Sequence, residues 1–286
     1  MIRPLEITGL GKTFPTPAGA FTAVTDFNLV VQPGEFVCLL GHSGCGKSTV
    51  LSILAGLQQA TQGGFCIDGK EVDYPGTDRG VVFQSPSLLP WLSAVDNIML
   101  AFRQAHPSLG KTESKKRVRR YMELAGVSDV ADLPPTELSL GTQQRVSIAR
   151  ALSLDPRFLL LDEPFGMLDS LTRFDLQDAL LHVLQETQKT VIMVTHDVDE
   201  AIYLADRIVL MTDGPSATVG EILTIPFTRP RDRSIMKLPD YKQHRSHIID
   251  FLEHHAKQSA TVGARAARQT IPSLAQSEGA SSTARM

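Results

Sequence analysis

The chain has 286 residues, 42% of them apolar and 21% charged, a globular composition long enough for one large or two small packed units. A formal net charge of −3 and an isoelectric point near 6.2 give no electrostatic case for nucleic acid, which favours a basic face. Three cysteines without CxxC spacing, Cys38, Cys45 and Cys66, suggest neither a disulfide framework nor a zinc knuckle and fit a reducing compartment. The start Met1-Ile2-Arg3-Pro4-Leu5-Glu6 lacks a following apolar run and does not read as a signal peptide. No stretch approaches the roughly 18 apolar residues of a membrane span, so a membrane role would need another chain to cross it.

In chain order, short apolar runs broken by Gly, Pro and Asp predict strands over 5–8, 27–31, 36–40, 65–67 and 80–83. Between them Val50, Leu51, Leu54 and Leu57 recur at helical spacing and predict a helix over 47–57 directly after a Gly-rich turn. From Ser93 to Ser153 the periodicity is helical throughout, which predicts a helical insertion. Strands and helices alternate again over 158–210, with strands ending near Leu161 and Val194, as in a parallel sheet with crossover helices. After Lys257 large apolar side chains nearly vanish, and a disordered tail is expected over 258–286. The reading is an α/β fold.

Gly41-His42-Ser43-Gly44-Cys45-Gly46-Lys47-Ser48-Thr49 matches G-x-x-x-x-G-K-[ST] between a predicted strand and a predicted helix. Glycines let such a loop turn its backbone N–H groups toward phosphates, and the helix N-terminus adds partial positive charge. Lys47 is expected to reach the β- and γ-phosphates of a nucleotide, and the Ser48 hydroxyl to hold Mg²⁺. Cys45, beside Lys47 and a helix start, is expected to favour its thiolate.

The run Phe158-Leu159-Leu160-Leu161 ends in Asp162 and Glu163, and sites of parallel sheets lie at the carboxyl ends of strands. Asp162 is placed to support Mg²⁺, and Glu163 to orient and polarise an attacking water. Two further strands end at His196, a candidate γ-phosphate contact, and at Gln84, a candidate sensor of Mg²⁺ and water.

Leu138-Ser139-Leu140-Gly141-Thr142-Gln143-Gln144-Arg145-Val146 resembles the signature motif of ABC transporter ATPases. The resemblance runs from about Leu5 to Phe251, with Phe14 like the adenine-stacking aromatic, Gln84 the Q-loop, Leu168-Asp169 the D-loop and His196 the switch histidine. It implies a P-loop NTPase core of ABC ATPase type over 1–257, with an N-terminal antiparallel β part and a helical subdomain inserted at about 87–155. It also implies a dimer with a second ATPase subunit, in which two ATP molecules lie between each phosphate loop and the opposite signature helix. Ser139 and Gly141 would contact phosphate there, and the usual Gly and Gln are replaced by Leu140 and Thr142. The implied partners are transmembrane permease subunits and, indirectly, a solute-binding protein, at the cytoplasmic face of the inner membrane.

Pro86-Ser87-Leu88-Leu89-Pro90-Trp91 resembles the segment that receives a permease helix, although a lone Trp is equally a core residue. The basic run Lys115 to Arg120 reads as a solvated helix face, and His244, His247, His254 and His255 lack the companions of a metal site. Within importers, the loop around Cys45, Leu89-Pro90-Trp91-Leu92 and Thr195 to Ala201 resemble the nitrate, sulfonate, taurine and bicarbonate group. The segments Pro15 to Phe21 and Pro226 to Arg233 are most similar to nitrate importer ATPases; by residue type alone they read as a Pro/Gly turn and a solvated basic loop. Competing readings are a soluble ABC ATPase of repair or translation and a poorly hydrolysing regulatory scaffold.

Overall fold

The computed structural model describes residues 4–17 and 19–269. In chain order its elements begin β1 (Leu5–Thr16), β2 (Gly19–Val31), β3 (Phe36–Leu40), α1 (Lys47–Leu54), β4 (Gln62–Ile67), β5 (Lys70–Glu71) and β6 (Arg79–Val82). Three helices follow, α2 (Ala94–Ala105), α3 (Lys111–Ala125) and α4 (Leu140–Leu152). The chain then alternates through β7 (Phe158–Asp162), α5 (Ser170–Thr187), β8 (Thr190–Thr195), α6 (Val198–Leu204), β9 (Arg207–Met211) and β10 (Val219–Thr224) to α7 (Pro239–Gln269).

The N-terminal sheet is antiparallel, in the order β2-β1-β4-β5. Its strands alternate: Leu5 and Ile7 are buried, Glu6 and Thr8 exposed, the period of two of a strand with one covered face. The stretch 15–21, expected as a turn, is mostly strand: Phe14 pairs with Phe21 and Thr16 with Gly19.

The central sheet has the order β10-β9-β3-β8-β7-β6, with β9, β3, β8, β7 and β6 parallel and β10 antiparallel to β9. Every residue of β3 and β8 is buried, as in strands covered on both faces. One face packs with α1 on the antiparallel sheet through Val37, Leu39, Val50, Leu54, Phe27 and Phe65. The other packs on α5, α6 and α7 through Leu159, Leu161, Leu180, Tyr203 and Ile248. The helix α1 stops at Leu54, before the expected 57. At Gly56 (φ +75°) a Cβ would lie 2.3 Å from the Tyr74 backbone, so the chain must turn there on a glycine.

The inserted subdomain forms its own core from α2, α3 and α4, around Ile98, Phe102, Val118, Met122, Val146 and Ala149. On α3, Val118, Met122 and Ala125 face this core at helical spacing, which turns Lys115, Lys116, Arg119 and Arg120 outward to solvent. Arg120 pairs with Glu186 at 2.6 Å across to α5.

Two further expectations change. The segment 226–233 is no solvated loop: Arg231 is buried and donates to the carbonyls of Tyr203 (3.1 Å) and Ala205 (2.7 Å) at the end of α6. Arg229 pairs with Asp206, and Arg233 pairs with Asp178 at 2.9 Å while stacking on Phe174. The guanidiniums thus cap orphan carbonyls and pin the segment to the core. The helix α7 also continues past 257, where composition places the start of a tail, and 270–286 lie outside the described residues.

Candidate active site at the strand ends

Parallel register brings the expected residues together. Leu40 pairs with Thr195, Asp162 with Val194, and Val82 with Leu161, so β3, β8, β7 and β6 end side by side. The phosphate-type loop, His196, Glu163 and Gln84 each follow one of these strand ends.

In the loop Gly44 (φ +83°) and Gly46 (φ +91°) take left-handed backbone, and a Cβ on Gly46 would lie 2.5 Å from Val24 of β2. Lys47 is buried and its Nζ donates to the carbonyls of Gly41 (2.7 Å) and His42 (2.8 Å), which places the ammonium inside the curl of its own loop. His42 Nδ1 lies 2.8 Å from Asp213, a tie between the loop and the segment after β9. Ser43 and Gly44 are exposed along the open side, and Ser48 and Thr49 open the helix α1.

The Ser48 hydroxyl donates to Asp162 Oδ1 at 2.9 Å. Burial pushes the Asp162 carboxyl up, the Ser48 hydrogen bond opposes this, and the neighbouring Glu163 adds to it. A hard divalent cation beside these oxygens would relieve both effects, so the all-oxygen donor set fits Mg²⁺. Glu163 stands in left-handed backbone (φ +44°), a conformation that costs a non-glycine residue about 1–3 kcal/mol. Its N–H donates to Val194 O (3.0 Å) and its carbonyl accepts from Gly166 N (3.1 Å), which hold the turn. The turn aims the carboxylate so that Oε2 lies 3.2 Å from His196 Nδ1 and 3.5 Å from Gln84 Nε2. Two groups, from the strands on either side of β7, converge on one oxygen of Glu163.

The other expected residues occupy two further places. Phe14 is half-buried on β1, under Lys12 at 5.1 Å, and packs on the core that contains Cys45. Ser139 caps α4, its Oγ accepting from Thr142 N at 3.2 Å and lying 2.8 Å from the Thr142 hydroxyl. Gly141 is buried against α5, where a Cβ would meet Thr172 at 2.3 Å, while the Leu140 side chain leans on the core. Asp169 is exposed and caps α5 through Leu171 N and Thr172 N, both at 3.1 Å; the Thr172 hydroxyl first, then these N–H groups, lower its carboxyl. Cys45 corrects an expectation: it is 1% exposed, and burial pushes its thiol up more strongly than Lys47 pulls it down. Enclosure and the direction of the shift both disfavour a thiolate there.

Sequence reasoning missed the residues that fasten these turns. Gln144 donates to Phe83 O (3.0 Å), and Arg150 donates to Pro86 O (3.0 Å) and Ser87 O (2.8 Å), so α4 grips the segment after Gln84. Both lie on the helix that carries the signature residues, and helical spacing from Ser139 was the available signal. Trp91, which this segment carries, is 74% exposed, so it is no core residue. Among the described residues no group of His, Cys, Asp or Glu forms a metal cluster, and no helix is long and apolar enough to cross a membrane.

A phosphate-type loop at one strand end, with a hydroxyl–carboxylate pair and a strained glutamate beside it, defines a P-loop nucleotide hydrolase. The family model described as ABC transporter matches residues 24–166. The nitrate import ATP-binding protein NrtD of Synechococcus elongatus is 53% identical over 249 residues, covering 87% of this chain and 91% of that protein. The bicarbonate transport ATP-binding protein CmpD of the same organism is 48% identical over 249 residues, covering 87% and 90%. Among solved structures, the dimeric post-hydrolysis state of the ATP-binding cassette MJ0796 bound to ADP and Pi superposes with a TM-score of 0.69 at 32% identity, over 78% of this chain and 100% of that one. The chain belongs to the ABC transporter family, and it is an ATP-binding ATPase of that family.

Proposed function

We propose that this ATPase is the motor of an importer for a small inorganic anion, and that the anion is nitrate. The convergence of His196 and Gln84 on Glu163 Oε2, beside the Ser48–Asp162 pair, carries the catalytic half of this reading. Glu163 acts as the general base that orients and polarises the attacking water, and His196 and Gln84 fix its carboxylate. Backbone N–H groups of 41–49 with Lys47 hold the phosphates, and Phe14 stacks on the adenine. Ser48, Asp162 and Gln84 would hold Mg²⁺, which when bound neutralises charge on the phosphate oxygens.

The signature residues Ser139 and Gly141 sit on the separate helical subdomain, so they serve the ATP of a second ATPase subunit, with Asp169 at the same contact. The solved relative MJ0796 is described as dimeric, which supports this arrangement. The exposed Trp91, on a segment gripped by α4, supports docking of transmembrane permease subunits at the cytoplasmic face of the inner membrane; a solute-binding protein acts beyond them. The same exposed indole speaks against a soluble ATPase without membrane partner.

The anion choice rests on the names of the relatives, nitrate at 53% identity and bicarbonate at 48%, and bicarbonate is the second reading. Cells lacking this chain, given labelled nitrate and labelled bicarbonate at limiting concentration, test it. Loss of nitrate uptake alone is expected. Loss of bicarbonate uptake alone would overturn the anion, and unchanged uptake of both would overturn the proposal.

A further inference from the structure

We infer that Arg173 is a positioning residue that joins the Leu168-Asp169 turn and the His196 turn into one mechanical unit, anchored by the buried Glu200. The inference rests on the assignment of His196 to the hydrolytic site.

Arg173 lies one turn into α5, and its backbone N–H donates to Asp169 O at 2.9 Å. Its guanidinium reaches three places: Nη2 donates to Leu168 O (3.3 Å), Nη1 donates to Asp197 Oδ2 (3.2 Å), and Nε lies 3.7 Å from Glu200 Oε1. A planar fork with five donors spans such a set, whereas a single ammonium does not.

Glu200 is 5% exposed and accepts from the Thr195 hydroxyl at 2.7 Å and from Gln177 Nε2 at 3.2 Å. The same Thr195 hydroxyl accepts from Asp197 N at 3.0 Å. Asp197 in turn caps α6 through the N–H groups of Asp199 (2.9 Å) and Glu200 (3.1 Å). His196 therefore sits between two residues whose side chains belong to one buried network, and its own ring is left to meet Glu163.

Behind this turn a cleft of about 440 Å³ opens between α5, α6 and α7, lined by Arg173, Gln177, Asp197, Glu200 and Tyr241. Phe174, Met236 and Tyr241 line the cleft as well, so on that side the polar network acts together with a partial apolar wall. On the outer side Met167 and Leu171, 54% and 75% exposed, flank Asp169. A body packed on them, which in the proposed dimer is the second subunit, pushes on Leu168-Asp169, and Arg173 transmits the displacement to His196.

The test uses the purified full chain with Arg173→Ala and Arg173→Lys, read by steady-state ATPase kinetics, amide hydrogen exchange by mass spectrometry and thermal unfolding. Arg173→Ala is expected to lower kcat about tenfold with KM for ATP within about twofold, because it disturbs positioning and leaves the phosphate loop intact. Exchange should quicken together over 166–170 and 195–198 while the remaining peptides keep their rates. Arg173→Lys should fall with Arg173→Ala; should Ala not fold, the same readouts on Lys decide. Unchanged exchange at 195–198, or turnover within about twofold of wild type, would overturn the inference. Full activity in His196→Ala would instead remove the assignment on which it rests, and the exchange result would still decide the mechanical link.

Discussion

Nδ1 of His196 lies 3.2 Å from Oε2 of Glu163, and the two residues stand at the ends of adjacent parallel strands. The ring has no part in the phosphate loop, so its removal should leave ATP binding alone and release the carboxylate. His196→Ala is expected to lower kcat at least about tenfold with KM for ATP within about twofold. Steady-state kinetics checks this; a raised KM with unchanged kcat would make His196 a binding residue.

Trp91 separates folding from partnership. With 74% of it exposed it contributes little to the core, so Trp91→Ala should leave the melting temperature within about 2 °C and the ATPase of the isolated chain unchanged. The same variant should lose co-purification with permease subunits and anion uptake, since an exposed indole makes a strong interface anchor. A large fall in melting temperature would show that Trp91 is a structural residue.

The cysteines give an accessibility order. Cys38 and Cys45 are buried, and burial pushes both thiols up, that of Cys38 strongly. Cys66 is partly exposed. A maleimide near neutral pH should therefore modify Cys66 first, and the other two only after denaturation. Mass spectrometry of the intact protein with and without denaturant measures the order, and rapid native labelling of Cys45 would contradict it.

Glu200 makes stability depend on pH. Burial first, then the charge of Asp197, raise its carboxyl from 4.5 to about 7 against the pull of the Thr195 hydroxyl and Arg173. The folded state thus binds the proton more tightly than the unfolded one. The contribution of Glu200 to stability falls as pH rises from about 4.5 to about 7 and then levels, by at most about 3 kcal/mol. Glu200→Gln cannot ionise, so its melting temperature relative to wild type should be several degrees higher at pH 8 than at pH 5. An equal offset at both pH values would show that Glu200 is not raised.

What the sequence displays is local. The loop 41–49, the strand ending at Asp162 and Glu163, and the helix start at Ser139 are contiguous patterns; parallel register then places the first two at neighbouring strand ends, while Ser139 stays on the helical subdomain. What it hides depends on partners distant in the chain. Gly56 ends α1 because Tyr74 approaches it, and Arg231 is buried because Tyr203 and Ala205 present orphan carbonyls. Cys45 illustrates the same limit from the electrostatic side: neighbouring Lys47 is visible in the sequence, while the larger effect of burial is not.

We propose that Glu163 drives hydrolysis and takes no part in holding ATP, and Glu163→Gln separates the two roles. The substitution keeps the shape of the side chain and every residue of the loop 41–49, and removes only the basic oxygen on which His196 and Gln84 converge. Measured side by side on the purified variant, turnover should fall at least about 100-fold while the Kd for ATP stays within about threefold of wild type. Turnover near wild type, or loss of ATP binding together with turnover, would rule out this role for Glu163.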